Sequence, residues 1–592
     1  MSLLSGVLLA SCAEEQTDGL PVDVAHASAW TAPPSIQGAE QCMDCHEEIV
    51  QQWSQTGMAR TLGPVLLGGE GEPGELDGVL GATDSVSGFQ YHFAKTPDHS
   101  SYVLGETHRD NPGFALGYEV LFGIGSSELD RSYAVAHGKQ MWFAPMEVLT
   151  EAGGRHGVLS PGAAIARGSR LGVPLTAECL GCHTDSLPPA GFPLNTIPSK
   201  SEWSPRGISC NACHGAGEEH VAWQESLDPP EVPDPILRVS QLGRKEQLSI
   251  CAACHLQGDA RLVLNSKELG PPPPGGDLLE QRALFVADTP TNEVGFVSQV
   301  ERLALSECFL QSEMSCTTCH DPHRTLHGPA EREIVRDACS KCHATEMAAN
   351  CGREFDLSNN DCASCHMSLT GVFDVAKVRI HDHYIRKDIS DALPASTEAE
   401  LRFAESPTGD WRRFAWPGER PPSHQDDLGL WMMALAAGAH VDKALTLVDA
   451  APGPAADALP MYHHVRGSLL GQGGRTDDAI ASYRRALFLD PDLAPSAINL
   501  GLLLAEVGQE QQALALLTDT LKRFPQADGA FRNRAIVKLA LGDKTGFGED
   551  LERAFAIAPT SELAMGLAKI YGELGEPARR LHWQKLASQL SP

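Results

Sequence analysis

The spacing of apolar residues changes character twice along the chain. From about residue 425 onward, apolar and small residues recur at helical intervals, and the whole pattern repeats every 34 residues. Gly467, Ala479, Tyr483, Ala486 and Pro491 set the frame. Gly501, Ala513, Leu517, Thr520 and Pro525 follow 34 residues later, and Ala535, Phe547, Leu551, Ala554 and Pro559 after a further 34. These are tetratricopeptide positions: small residues let two helices of a hairpin approach, and proline ends the second helix. A pair over 431–447 and a degenerate capping pair over 567–586 extend the array. The expectation is an α-solenoid over 425–592, which offers either a protein-docking surface or a structural cap.

Between 85 and 160 the period is two. Short β-type runs at 90–93, 101–104 and 141–143, separated by Gly, Asn-Pro and Asp-His, predict one small antiparallel β element. Between Cys179 and Cys365 the composition is loop-rich, so short helices and connectors are expected there, with little regular sheet. The fold class is therefore mainly α: a loop-rich region with a small antiparallel β element, then the solenoid. The division is 1–12 leader, 13–38 tether, 39–170 first region with the sheet, 171–395 second region and 425–592 repeats.

The cysteines explain the loop-rich part. The chain has 17 Cys and 23 His, and the motif C-x-x-C-H occurs seven times, using 14 of the 17. The motifs are Cys42/Cys45/His46, Cys179/Cys182/His183, Cys210/Cys213/His214, Cys251/Cys254/His255, Cys316/Cys319/His320, Cys339/Cys342/His343 and Cys362/Cys365/His366. This is the attachment motif of c-type haem. Two thiols about one helical turn apart form thioethers to one porphyrin, and the next residue, His, becomes the proximal iron ligand. Zinc ribbons do not place a His after every pair, and a thioredoxin-like dithiol occurs once, so neither accounts for seven repeats. Seven covalent haem c groups are expected, and they supply apolar core that side chains would otherwise provide.

The remaining histidines of this part are His92, His99, His108, His137, His156, His220, His323, His327, His381 and His383. They are numerous enough to close the irons on the distal side. His220 and His323 lie too near their own motifs to turn back, so each is expected on a neighbouring haem. Of His381 and His383, just past the last motif, His383 is favoured. His92 is a further candidate. Met58, on the helix leaving the first motif, is either a thioether ligand, which would raise that haem's potential, or a ring-edge packing residue.

Charge and termini narrow the partners. With 46 Lys and Arg against 77 Asp and Glu, the net charge is −31. Such a surface repels phosphate backbones, which argues against nucleic acid, and suits a basic protein. After the N-terminus no apolar run reaches membrane-spanning length. The start, Leu9-Ala10-Ser11-Cys12 after an apolar run, is similar to a bacterial lipoprotein signal, with Cys12 as lipid anchor. Export is expected in any case, to a periplasmic, outer-membrane-anchored or cell-surface location. The two other unassigned cysteines, Cys308 and Cys351, form a candidate disulfide.

Several segments together carry a family resemblance: Cys42 to Ile49 with Trp53, Met58 and Arg60; Gly207 to Gly217 with His220; Cys316 to His323; and Cys362 to Met367 with Asp382 to Ile385. Over roughly 40–390 the chain resembles the tetrahaem cytochromes that accept electrons in hydroxylamine oxidation, here extended to seven motifs and fused to repeats. The resemblance implies electron transfer between a donor and an acceptor protein, with basic cytochromes among the candidate partners. It also carries two departures. Relatives often have a His in the segment matching 125–133, and Pro-His where this chain has Ala376-Lys377; His381 would compensate for the latter. These gaps leave room for one open iron. The alternative function is thus an oxidoreductase acting on nitrite or hydroxylamine.

Overall fold

The computed structural model describes residues 39–68, 73–126, 130–151, 154–160, 170–171, 173–187, 197–199, 203–227, 231–264, 272–287, 294–325, 329–343, 362–375, 378–388, 411–421, 427–437 and 440–590. Three parts follow one another: a barrel, a cluster of short helices and the repeat array.

The barrel has nine antiparallel strands: β1 (Leu62–Gly63), β2 (Ala82–Thr83), β3 (Phe89–Lys95), β4 (Tyr102–His108), β5 (Asn111–Ile124), β6 (Asp130–His137), β7 (Gln140–Phe143), β8 (Met146–Glu151) and β9 (Gly154–Leu159). The order is β2-β3-β4-β5-β6-β8-β9, with β1 on β5 and β7 on β6. A bridge from Leu80 to His156 brings the first edge round to β9, so the sheet nearly closes. The expected small β element is corrected to this larger one. Strand β5 is the reason. Its proline and three glycines read as turn signals, yet Phe114, Tyr118, Val120 and Phe122 are buried. A register shift between Val120 and Phe122 bends the strand from one partner to the next.

The barrel interior is aromatic and aliphatic, built on Tyr91, Leu104, Phe114, Tyr133, Val135, Met146 and Val148. Two buried ion pairs cross it. Glu75 accepts from Tyr133 and pairs with Arg131 at 3.0 Å. Glu106 accepts from Arg170 at 2.9 and 2.5 Å and from Tyr118 at 2.8 Å. Each carboxylate is thereby compensated, as burial requires.

A second correction concerns the region expected to have little sheet. Strands β10 (Ala260–Val263) and β11 (Arg282–Ala287) join a later one, β14 (Trp411–Arg413), in a three-stranded antiparallel sheet. Between them in sequence lie β12 (Leu369–Gly371) and β13 (Arg379–His381), which form a hairpin. Strand β11 is buried on both faces. Ala283 and Phe285 face the repeat array, while Leu284 and Val286 face the helix Arg244–His255. Double-sided burial removes the polar alternation that would mark it as a strand in sequence.

The array contains four regular hairpins: Pro460–Gln472 with Thr476–Leu489, Ala494–Glu506 with Glu510–Arg523, Asp528–Ala540 with Lys544–Ile557, and Ser561–Glu573 with Pro577–Leu590. Each turns through a glycine of positive φ: Gly474, Gly508, Gly542 and Gly575. Gly467 and Gly501 lie against Tyr483 and Leu517, where a Cβ would meet ring and branch carbons at 2.9 and 2.6 Å. The short helices Leu428–Ala437 and Val441–Thr446 precede these hairpins.

The array is anchored at both ends. Upstream, Trp431 packs on Phe285 and Trp411, and Arg413 pairs with Asp427 at 2.5 Å. Downstream, Lys139 N–H donates to the Ile557 carbonyl, His137 Nε2 meets the Pro559 carbonyl at 3.0 Å, and Arg170 donates to the Leu590 carbonyl. Among the described residues no helix is long and apolar enough to cross a membrane.

Candidate functional site

Every motif sits on one helical turn. Cys42, Cys45 and His46 lie in the helix Glu40–Trp53, whose backbone leaves helical geometry at His46. Thr176 caps Ala177–Leu180 by accepting from the Cys179 N–H. Cys210 opens Asn211–His214. The fourth and sixth motifs are the last turns of Arg244–His255 and Pro329–His343. The fifth is a 3-10 turn fixed by a Ser315–Thr318 capping box, and the seventh is Cys362–His366.

The fold turns all seven motifs toward one cavity of about 3930 Å³, lined by cysteine or histidine of each. A single small-molecule pocket is about 300–1,000 Å³. Two thiols depart from the expected arrangement, in which both cysteines of a motif face their porphyrin. Cys179 and Cys365 are exposed and do not line the cavity, whereas their partners Cys182 and Cys362 do. Cys179 Sγ lies 3.2 Å from the Thr176 hydroxyl, and Cys365 Sγ accepts from the Ser364 hydroxyl at 3.9 Å. The reason is the helical turn itself. Residues three apart point about 60° away from each other, so at the rim of the cavity one thiol turns outward.

Neighbouring motifs meet through their thiols. Cys182 Sγ lies 3.9 Å from the Ala253 carbonyl and Cys254 Sγ 4.0 Å from that of Gly181, so the second and fourth motifs lie side by side. Cys42 and Cys210 share one apolar cluster and touch, joining first to third. Cys251 touches Cys316, and Cys339 touches Cys362. First and third, second and fourth, fourth and fifth, and sixth and seventh motifs thus lie side by side.

The imidazoles share an arrangement. Nδ1 of His183 bonds Thr61 Oγ1 at 2.6 Å, His214 the Leu237 carbonyl at 2.9 Å, His255 Gln299 Oε1 at 3.1 Å and His366 the Arg386 carbonyl at 2.6 Å. Four of the expected distal residues follow suit. His220 bonds Asp234 at 2.7 Å, His323 bonds Asp321 at 3.1 Å, His381 bonds the Met367 carbonyl at 2.7 Å, and His383 bonds the His381 carbonyl at 3.0 Å. A partner on Nδ1 fixes ring orientation and tautomer and leaves Nε2 for a metal. All eight rings line the cavity.

Two pairs of rings lie near each other with almost parallel planes. His214 and His323 have centroids 6.1 Å apart and planes within 14°; His320 and His383 have centroids 6.1 Å apart and planes within 23°. Two metal–nitrogen bonds of about 2.0–2.1 Å, with about 1.1 Å from each nitrogen to its ring centre, span about 6.3 Å. The donor set therefore fits c-type haem: two thiols and a proximal imidazole per motif, and in two places a second imidazole at a separation that suits a shared iron.

The other expected residues separate. Met58 lines the cavity on the short helix Gly57–Arg60. His92 is exposed on β3, its ring over Gly105, and is not on the cavity wall. His108 and His137 bond the Ser87 and Pro559 carbonyls. Cys308 lines the cavity near Cys319, but Cys351, Cys12 and His327 lie outside the described residues. Sequence reasoning missed the groups that hold the rings. Asp321 and Asp382 stand beside candidate ligands in the chain, a usable signal. Thr61, Asp234 and Gln299 are 122, 14 and 44 residues from their partners and had none.

The family described as cytochrome c554 and c-prime matches residues 167–215, which contain the second and third motifs. This match supports a c-type cytochrome with covalently bound haem. No curated protein matches it. Solved structures similar to it include "MamA MSR-1 C2", at 19% identity, 28% of this chain, 94% of that one and a TM-score of 0.25. Another is a thermophilic TPR protein of Thermus thermophilus, at 21% identity, 28% of this chain, 91% of that one and a TM-score of 0.23. The repeat architecture rests on the four hairpins themselves.

Proposed function

We propose that this cytochrome holds seven haems and carries electrons between redox proteins outside the cytoplasm. Bound haem c supplies one-electron exchange. The chain's own contribution is to hold the rings still and to order the motifs. In this reading His323 would join His214 in holding the iron of the third motif and His383 would join His320 in holding that of the fifth, while His220 and His381 would serve neighbouring irons. The single observation that carries it is the recurrence of one spacing, 6.1 Å between nearly parallel imidazoles, in two separate pairs. The net charge of −31 favours basic donor or acceptor proteins. Export, with Cys12 as lipid anchor, and docking of partners on the array complete the proposal.

The test is a visible difference spectrum of the reduced holoprotein with and without carbon monoxide, recorded for the wild type, H323A and H383A. Each variant should gain a signal of about one haem in seven over the wild type. Variants that match the wild type would remove both assignments.

A second reading, oxidation or reduction of a small nitrogen compound at an open iron, has one observation in its favour. Met58, a thioether and not an imidazole, lines the cavity beside Thr61, whose hydroxyl holds the proximal His183. A carbon monoxide signal in the wild type, lost or moved in a Met58 variant, would support it.

A further inference from the structure

Strands β6 and β8 place two carboxyl groups together on the outer face of the barrel. Alternation sends Arg131 and Tyr133 inward, where Glu75 engages both, and leaves Asp130 and Ser132 on the cavity side. Glu147 comes from β8 onto the same face: Asp130 pairs with Leu149 and Arg131 with Val148 across the two strands. Glu147 is 1% exposed. Its Oε2 accepts from the Ser132 hydroxyl at 3.1 Å, and its Oε1 has no hydrogen-bond partner. A buried carboxylate oxygen left so is costly when ionised and cheap when protonated.

The surroundings bear this out. Burial raises Asp130 to about 6. Burial, and then the neighbouring Asp130 charge, raise Glu147 to about 8, with the Ser132 hydroxyl opposing. On β9 the same face carries His156, opposite Leu149, and Val158, opposite Glu147, while Arg155 reaches inward to the Glu75 carbonyl. Across the cavity Asp185 is held by Ser209 and Arg206. The same barrel face also contributes Ala134 to the apolar cluster that contains Leu180 of the second motif.

We propose that Asp130 and Glu147 form a proton-binding pair that takes up one proton when a haem on the adjoining wall, that of the second motif, is reduced. The proposal rests on the haem-bearing reading above. The electron comes from an external donor, dithionite in the test, and the proton from bulk water. The added negative charge on the haem side is matched by one O–H bond formed on the pair, and the steps reverse on reoxidation. The charge of one carboxyl disfavours ionisation of the other, so proton uptake is assigned to the pair and not to either residue alone.

Potentiometric titration of the holoprotein from pH 5.5 to 9 tests this. One haem midpoint should fall with rising pH between about pH 6 and 8, by up to about 59 mV per unit, the equivalent of a tenfold change in proton activity for one electron. E147Q and D130N should each flatten that slope and leave the other midpoints in place. A slope unchanged in both variants overturns the proposal. Should E147Q fail to fold, D130N and proton release to an indicator dye on reoxidation decide it: the wild type releases about one proton more than D130N, and equal release overturns it. A preparation without covalent haem would instead sink the haem-bearing reading, so the two failures are distinct.

Discussion

At the scale of single residues, Asp382 shows how ligand-bearing segments are fixed. Its carboxylate is fully buried and accepts from Arg302 at 2.8 and 2.6 Å, from Arg386 at 2.8 Å and from the Tyr384 N–H. Burial pushes its pKa up, but the bond from Arg302 and its charge outweigh that, and the group sits below the ordinary carboxylate value. A depressed folded pKa means stability that is present above about pH 4 and lost as pH falls through the folded value. Removing the charge in D382N leaves two buried guanidinium groups uncompensated, a loss of about 3–5 kcal/mol. Denaturant unfolding at pH 7 would measure it, and the gap between variant and wild type should narrow below pH 4. A loss under about 1 kcal/mol would show that the cluster does not anchor His381 and His383. Residue chemistry was the most legible level: the thiols and proximal histidines are contiguous in sequence. Which thiol of a motif faces inward was not legible, as Cys365 shows, because that depends on where the turn meets the cavity rim. The Nδ1 partners, such as Thr61 for His183, come from across the fold and could not be read either.

Among elements, legibility depended on one-sided burial. The hairpins of the array have an apolar and a polar face, so their 34-residue period was visible, and Gly501 and Leu517 fell on matching positions. Strand β11 is buried on both sides, and β5 hides its alternation behind glycines, so both were missed. The glycine positions now make a sharp test. In G501L extra carbons meet Leu517, and overpacking of this kind costs about 1–3 kcal/mol. A lowered midpoint in denaturant with unchanged slope is the expected outcome. An unchanged midpoint would mean that the two helices of that hairpin are not held as closely as described.

For the whole molecule, the connection between barrel and array is the decisive contact. Gly138 has φ +62, and a Cβ there would run into the Ile557 carbonyl. G138V should therefore open the seam formed by Lys139, His137 and Arg170. Hydrogen exchange at the Lys139 amide and a larger radius in small-angle scattering are the expected signs; identical exchange and radius in the variant would count against a docked seam. The division into motifs and repeats was evident in sequence, but this return of the last hairpins to the barrel, about 420 residues away in the chain, was not.

Fastening the array at both ends has a mechanical consequence. A solenoid contacts only neighbouring repeats and behaves as a spring. Pinned at Trp431 on one side and at Ile557 to Leu590 on the other, that spring becomes a strut across the cavity-bearing region. Electron tunnelling weakens exponentially with the gap between centres, so small fluctuations in spacing would dominate the slowest hop. In the proposed heptahaem carrier, a strut that suppresses breathing between the two anchor points would keep those gaps constant, and the repeats would act on conduction from outside the cavity.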